Sequence, residues 1–149
     1  MIPKQIAKES ESSHQAALFA WAALNKKQWP ELAWLHHIPN GGSRGDTQKS
    51  RMIRGAQLKA QGVRTGVADI FLPVRKLYGV DEEGDAVFKS GLYIEMKKPS
   101  EKPVKATSKG GVSDEQREFG DFVKQQGFSW HVCYSWEEAR DVLKAYLEL

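Results

Sequence analysis

Two acids and one lysine interrupt two apolar, strand-like segments of the sequence. Asp69 lies in the run ADIFLPV, and Glu95 and Lys97 lie in the run GLYIEMK. Acids that face each other across two strands repel, and burial without a partner raises their pKa values. A divalent cation removes this conflict, because carboxylate oxygens are the usual protein ligands of Mg²⁺ and Mn²⁺. The residue types therefore indicate a metal-assisted hydrolytic site, in which Lys97 could contact a phosphate or position a water.

The placement of these side chains depends on how the two strands pair. The acidic, turn-like segment 81–85 lies between them, so we predict a β-hairpin with a long tip. Because side chains alternate along a strand, a register centred on that segment pairs Ile70 with Ile94 and matches the apolar faces. The same register places Asp69 opposite Glu95. The alternative is that the acids belong to an ordinary solvated strand face.

The composition indicates one globular domain rather than a membrane or disulfide-rich protein. The chain has 149 residues, a mean hydropathy of −0.55 and a net charge of +3. No apolar run approaches the about 20 residues that a transmembrane helix needs, and no secretory signal is visible. Cys133 is the single cysteine, so no internal disulfide can form, which fits a reducing compartment. We therefore expect a cytoplasmic protein without membrane contact.

Hydrophobic periodicity and turn residues predict the elements around the acids. The predicted order is α-β-α-β-β-α-β-α, which indicates an α/β fold. A short strand is predicted over residues 32–38. The whole chain, 1–149, is expected to form one domain with its core over about 9–147 and a mobile basic loop at about 99–112.

Helix N-termini are predicted from side chains that can cap them. Ser12 and Gln15 have the spacing of a capping box at the first helix, and Ser135 and Glu138 have it at the last. Ser113 is the predicted N-cap of the helix between them. These positions set where the predicted helices begin.

Taken in order, five segments resemble the VRR-NUC family, a branch of the PD-(D/E)XK nuclease superfamily. The segments are ESSHQAAL, IPNGGSR, LKAQGVRTGVADIFL, YIEMKKP and GVSDEQREF. The resemblance implies a restriction-endonuclease-like fold, with a central mixed sheet flanked by helices. Ala68 stands before Asp69 where the superfamily name implies proline. Since proline is not a metal ligand, the metal site should tolerate this change.

The resemblance also implies roles for the strand residues. Asp69 and Glu95 would bind the metal, and the backbone carbonyl of Met96 could complete the protein's share of ligands. Lys97 would be the catalytic lysine. The implied cofactor is Mg²⁺ or Mn²⁺.

Two helix residues match further positions of the family. Glu11 would reach the metal directly or through water, with Glu9 as the alternative if the helix is aligned differently. Gln116 would hold the active site or the DNA backbone. Both have simpler explanations, because an acid in a first helical turn is favoured by the helix dipole, and Gln116 has capping-box spacing to Ser113.

A basic surface is predicted to hold a polyanionic substrate. A glycine-rich loop with free backbone N–H groups precedes a basic helix, and further cations follow. The candidate DNA-binding residues are Asn40, Gly41, Gly42, Ser43, Arg44, Arg51, Arg54, Arg64 and Lys98. Such phosphate contacts position DNA but carry little sequence information. The alternative is a basic helix that is merely solvated.

These observations lead to a functional expectation. The chain is expected to be a metal-dependent endonuclease that hydrolyses phosphodiester bonds in branched DNA, such as Holliday junctions or flaps, in a bacterial or phage-infected cell. A homodimer would place two active sites on a symmetric junction. The candidate interface residues are Trp29 and Trp34, or Trp130 and Trp136. A non-catalytic DNA-binding scaffold and a sequence-specific restriction-type endonuclease remain as alternatives.

Overall fold

The computed structural model describes residues 10–39 and 47–149. Its α-helices are α1 (Glu11–Leu24), α2 (Gln48–Ala60), α3 (Asp114–Gln125) and α4 (Trp136–Leu147). Its strands are β1 (His36–His37), β2 (Ile70–Leu72), β3 (Lys76–Val80), β4 (Ala86–Lys89), β5 (Leu92–Met96) and β6 (Ser129–Cys133). Short 3₁₀ helices cover Pro30–Trp34 and Pro99–Glu101.

The central sheet is mixed and has the strand order β1-β2-β5-β6. Strands β1, β2 and β5 pair antiparallel, whereas β5 and β6 run parallel. Ile70 pairs with Ile94, so the predicted register between β2 and β5 is confirmed. One step further along this register, Asp69 lies opposite Glu95. The sheet therefore places both acids on the same face.

The opposite face of the sheet is the main hydrophobic core. Helices α1 and α4 contact each other over it. Fully buried side chains from both layers fill the core, among them Leu18, Ile70, Leu92, Ile94 and Leu143. Burial of each such side chain contributes about 1.5–3 kcal/mol. This core fixes the strands that carry the acids.

Helix α3 covers the acid-bearing face. Phe119 of α3 packs edge to face on Tyr93, with ring centroids 5.1 Å apart, and Phe71 stacks on Tyr93 at 4.3 Å. Gly120 allows α3 to lie close to β6, because a Cβ there would be 2.5 Å from the ring of Trp130. The close approach brings the N-terminus of α3 to the end of β5.

Two predicted caps differ from the structure. Helix α1 begins at Glu11, and its capping box is formed by Ser10 and Ser13 rather than by Ser12 and Gln15. The hydroxyls of Ser10 and Ser13 each accept from the backbone N–H of the other residue, so the helix begins two residues earlier than the predicted cap.

At α4 only half of the predicted box is present. The Ser135 hydroxyl accepts from the backbone N–H of Glu138, as expected for an N-cap. The Glu138 carboxylate instead accepts from the backbone N–H of Tyr134 and pairs with Lys102 at 3.0 Å. The side chain is thus turned toward the segment that follows β5.

The strand predicted over residues 32–38 is also shorter. Only His36 and His37 form β1, because Pro30 starts a 3₁₀ helix that buries Leu32. The hairpin between β2 and β5 has an unpredicted feature as well. Its tip is a second, two-stranded sheet formed by β3 and β4, with a register shift between Leu77 and Gly79.

Two basic segments lie outside the core. Helix α2 has no buried residue. In the lysine-rich loop, residues 99–112, the Tyr134 hydroxyl donates to the carbonyl of Gly110 at 2.9 Å, and Lys102 pairs with Glu138. Mobility of this loop stays a prediction. Among the described residues, no helix is long and apolar enough to cross a membrane.

Candidate active site

The ends of β2 and β5 bring the predicted catalytic strand residues together. Glu95 is 1% exposed and Lys97 is 7% exposed. The Lys97 ammonium lies 3.8 Å from Oε1 of Glu95. Asp69 Oδ2 accepts from the backbone N–H of Met96 at 2.8 Å. This bond continues the pairing of the two strands by one step, so a side chain takes the place of a backbone partner.

The backbone of Met96 therefore faces Asp69. The N–H and C=O of one residue point to the same side of a strand, so the Met96 carbonyl is directed toward the neighbourhood of Asp69. Its side chain is buried in the core on the opposite face. The structure is thus compatible with the predicted use of the Met96 carbonyl and excludes a role for its thioether.

Gln116 joins the N-terminus of α3 to the acids. Its Oε1 accepts from the backbone N–H of Ser113 at 2.9 Å, and its Nε2 donates to Oε1 of Glu95 at 2.9 Å. Ser113 in turn accepts from the backbone N–H of Gln116. Helix capping and contact with the site were predicted as competing explanations. In the structure one amide serves both, because the cap turns its N–H₂ group toward Glu95.

Burial and charge perturb Glu95 strongly. Withdrawal from water raises the pKa of Glu95 to about 9, and the neighbouring carboxylate of Asp69 adds to the rise through its charge and a shared hydrogen bond. The ammonium of Lys97 opposes this shift, and Glu11 raises the pKa of Glu95 slightly further. An ionised Glu95 is therefore unfavourable in this site unless a further cation joins Lys97.

One oxygen of Glu95 shows the same conflict geometrically. With both carboxyls ionised, Oε2 is buried and no described residue donates a hydrogen bond to it. A proton held between Glu95 and Asp69 would satisfy it, and so would a bound cation. The donor set of two carboxylates and a backbone carbonyl consists of hard oxygens. These residues therefore fit a divalent metal such as Mg²⁺ or Mn²⁺.

Glu11 lies near the acids but does not complete a ligand set. Partial withdrawal from water raises the pKa of Glu11, the charge of Lys97 lowers it, and the charge of Asp69 raises it. Yet within residues 10–39 and 47–149, no three His, Cys, Asp or Glu side chains are grouped closely enough to hold a metal ion. Direct ligation by Glu11 would need movement of its side chain, and contact through a water stays a prediction. Glu9 lies outside the described residues.

Two features that sequence reasoning missed position Asp69. The carbonyl of Asp69 accepts from Nδ1 of His37 at 2.8 Å and from the backbone N–H of Ile38. Before the strand, Gly66 has φ +93° and lies against the first turn of α3, where a Cβ would be 2.6 Å from the carbonyl oxygen of Glu115. In the sequence, Gly66, the second glycine of the run GVRTGVAD, was the available signal for this close approach.

The predicted DNA-binding residues are only partly described. Asn40, Gly41, Gly42, Ser43 and Arg44 lie outside the described residues. Arg51 and Arg54 are exposed on α2, Arg64 is exposed in the following loop, and Lys98 is exposed beside the site. From Thr47 to Thr65 the sequence contains no acid. Arg51, Arg54 and Arg64 therefore have no acid in their own segment, whereas the charge of Lys98 lowers the pKa of Glu11.

The tryptophans proposed for a dimer interface differ in exposure. Trp29 is 9% exposed in the core, Trp130 lies under Gly120, and Trp136 packs against the core. Trp34 is 71% exposed. Trp130 and Trp136 keep part of their surface exposed, so a dimer interface through either pair of tryptophans stays a prediction.

Comparison with known proteins gives the family and the fold. The family model for the VRR-NUC domain matches residues 9–137. A solved structure described as a VRR_NUC domain protein superposes with a TM-score of 0.62 at 21% sequence identity, covering 94% of this chain and 89% of that chain. This likeness confirms the predicted restriction-endonuclease-like fold. No curated protein matched the chain.

The family match spans all the strand residues of the site as well as Gln116. Membership implies a nuclease-type function, and nuclease domains of this kind are generally metal-dependent. The two acids, the lysine and the capping glutamine thus lie within a domain whose family is of the nuclease type. The chain belongs to the VRR-NUC family.

Proposed function

We propose that this chain is a metal-dependent DNA endonuclease that hydrolyses phosphodiester bonds at the Asp69–Glu95 pair. The observation that carries the proposal is the buried Oε2 of Glu95 beside the carboxyl of Asp69, because no described residue donates to this oxygen when both carboxyls are ionised. A scaffold protein gains nothing from an acid at position 69 that raises the pKa of the buried Glu95. A cation site explains why both are retained in a position that costs stability.

The metal would be held by Asp69, Glu95 and the carbonyl of Met96. Glu11 would contribute through a water. When bound, Mg²⁺ or Mn²⁺ would lower the pKa of a water and neutralise charge on the scissile phosphate. The protein's part is to keep Asp69 in place through Met96 N–H and His37, and to keep Glu95 in place through Gln116.

Lys97 would supply a positive charge beside the scissile phosphate, at a position fixed by its contact with Glu95. Its ammonium is held near Glu95 in a site with little access to water, so its interaction with a developing phosphorane charge is stronger than in bulk solvent. It can also orient the attacking water. We assign Lys97 as the catalytic lysine and Gln116 as the residue that orients Glu95.

We further propose branched DNA as the substrate. The exposed cations of α2, together with Arg64 and Lys98, would follow phosphates rather than base edges. The sequence contains no recognisable helix-turn-helix or zinc-finger motif, so we expect selectivity to come from DNA shape. A homodimer would present two active sites to a symmetric four-way junction.

The test compares cleavage of a four-way junction, a flap and a linear duplex of matched sequence. Each is incubated with Mg²⁺, Mn²⁺ or EDTA, and the wild-type protein is compared with Asp69→Asn and with Lys49→Gln, an exposed cation on α2. We expect metal-dependent cutting with the junction preferred, none by Asp69→Asn, and weaker binding but intact chemistry for Lys49→Gln. Equal cutting of all three DNAs would remove the preference for branched DNA. Tight junction binding without cutting in any metal would favour the scaffold function.

A further inference from the structure

The two-stranded sheet of β3 and β4, here called the ribbon, exposes an apolar face. Leu77 pairs with Phe88 and Val80 pairs with Ala86, so these four side chains share one face. Leu77 is 53%, Val80 72% and Phe88 37% exposed. The ribbon thus presents a contiguous apolar strip to solvent.

The rest of the domain holds the ribbon only at its base. The Tyr146 hydroxyl donates to the carbonyl of Val74, and the Lys76 ammonium donates to the carbonyl of Leu147 at 2.8 Å. A two-stranded sheet is marginally stable alone and needs a covered hydrophobic face. Within the described part of the chain, no helix or strand makes extensive contact with the ribbon. Its apolar face is therefore available to a partner.

The charges of the ribbon are separated along its length. Its tip contains four acids and no base, namely Asp81, Glu82, Glu83 and Asp85. Its base carries Arg75, whose guanidinium lies 3.7 Å from the ring of Phe88, and Lys89, whose ammonium lies 4.6 Å from the ring of Tyr78. Neither cation forms an ion pair in the described residues, and neither do Glu82 and Glu83.

The separation of acids at the tip from cations at the base indicates which partner the ribbon can bind. An acidic tip repels the phosphates of DNA. A second ribbon laid antiparallel on the first would place each acidic tip beside the other's basic base and would bury both apolar strips. A two-fold axis that lies between the two ribbons, perpendicular to their length and level with their midpoints, produces this arrangement, and each contact then occurs twice.

We propose that a second copy of this chain docks here, ribbon on ribbon, through the apolar strip formed by Leu77, Val80, Ala86 and Phe88, with the charged ends paired across the two-fold axis. The inference names the interface of the homodimer and so rests on the proposed function for that dimer. It does not depend on the chemistry assigned to Asp69 and Glu95.

The size of the ribbon limits the affinity that this contact can give. Strands of five residues are about 17 Å long, so the face is smaller than the about 800 Å² per partner of a standard stable interface. We expect a reversible dimer with a dissociation constant of about 1–100 μM, and binding to a symmetric DNA would raise the dimer population through avidity.

Sedimentation equilibrium of the full chain over about 1–300 μM tests the interface. Two charge-reversal variants, Glu82→Lys/Glu83→Lys and Arg75→Glu/Lys89→Glu, are each expected to weaken the dimer about tenfold or more, because each creates like-charge contacts twice. The chain carrying all four reversals is expected to regain wild-type affinity within about threefold. Val80→Asp should abolish the dimer, whereas Val104→Asp, at a valine that is 98% exposed elsewhere, should not change it.

Cleavage of linear duplex in Mg²⁺ is measured on the same samples. A wild-type monomer throughout, a dimer indifferent to the charge reversals, or a fourfold variant that stays monomeric would each overturn the ribbon interface. In any of these cases, unchanged metal-dependent cleavage would leave the nuclease assignment standing. Loss of cleavage in the wild-type protein, with charge-dependent dimerisation intact, would instead overturn the nuclease and retain the interface.

Discussion

Replacing Glu95 with glutamine should stabilise the metal-free protein at alkaline pH. Glutamine has the shape of a protonated Glu95, keeps an oxygen for the Nε2 of Gln116 and places an amide where the proton shared with Asp69 would be. In the wild-type protein, folding at pH 8 either takes up a proton at Glu95 or buries its charge. The variant avoids both costs.

The magnitude follows from the raised pKa of Glu95, which moves from 4.5 to about 9. Because the folded-state pKa is the higher one, the contribution of Glu95 to the unfolding free energy is favourable below pH 4.5 and is lost as pH rises toward 9. At pH 8 the difference spans 3.5 pH units. At 1.36 kcal/mol per unit this gives an upper limit of about 5 kcal/mol, and we expect about 2–5 kcal/mol in practice.

The assay is urea denaturation of both proteins in EDTA at pH 5 and pH 8. Glu95→Gln should gain less than about 1 kcal/mol at pH 5 and about 2–5 kcal/mol at pH 8. Glu83→Gln, at the exposed tip of the ribbon, is the control and should gain nothing at either pH. In saturating Mg²⁺ the order should reverse at pH 8, because only the wild-type protein retains both metal-binding carboxylates.

A pH-independent difference between Glu95→Gln and wild type would refute this reasoning. So would a variant that is less stable than wild type at pH 8 in EDTA. Either result would mean that Glu95 is ionised in the metal-free fold at little cost, and its burial would then not indicate a cation site.

Three further predictions concern the same site. Gly66→Ala should lower the unfolding free energy by about 2–4 kcal/mol in thermal or urea denaturation, because it strains a positive φ and clashes with Glu115. Gln116→Ala should cost about 1–2 kcal/mol of stability and slow cleavage, and Gln116→Glu should recover neither in EDTA, because it keeps the cap but places a third carboxylate against Glu95. Calorimetric Mn²⁺ titration between pH 6 and 8 should show affinity rising up to about tenfold per pH unit, since Glu95 must lose its proton; a pH-independent affinity would contradict this.

The register of the two acid-bearing strands could be predicted because side chains alternate between the two faces of a strand. A slip of one residue would move Asp69 to the core face and Ile70 to the polar face, which burial forbids. Alternation therefore placed the two acids opposite each other, whereas their roles were implied by the family resemblance. Their depth could not be predicted, since the burial of Glu95 depends on α3, whose approach is set by Gly66 and Gly120 at distant positions in the chain.

The ribbon could not be recognised from its sequence pattern. Tyr78 and Gly79 lie at a register shift in β3, so the alternation that reveals a strand is interrupted there. Its apolar side chains are exposed, which removes the usual correspondence between apolar residues and the core. Alternation of apolar and polar residues identifies strands that bury one face. Neither β3 nor β4 contains a buried residue in the described chain.

The double role of Gln116 shows another limit. Its spacing from Ser113 predicted a cap, and its resemblance to a family position implied contact with the site. Only the packing of α3 beside β5 shows that both are true, because the direction of the amide depends on tertiary structure.

The most direct test of the central claim measures metal binding and single-turnover DNA cleavage on the same sample of Lys97→Ala. The variant keeps Asp69 and Glu95, so Mn²⁺ should bind with an affinity within about tenfold of wild type. Cleavage of a four-way junction should fall by about 10²–10⁴-fold, the usual cost of losing a residue that stabilises charge or transfers a proton in the transition state. Normal cleavage by Lys97→Ala, or wild-type cleavage that persists in EDTA, would contradict the account.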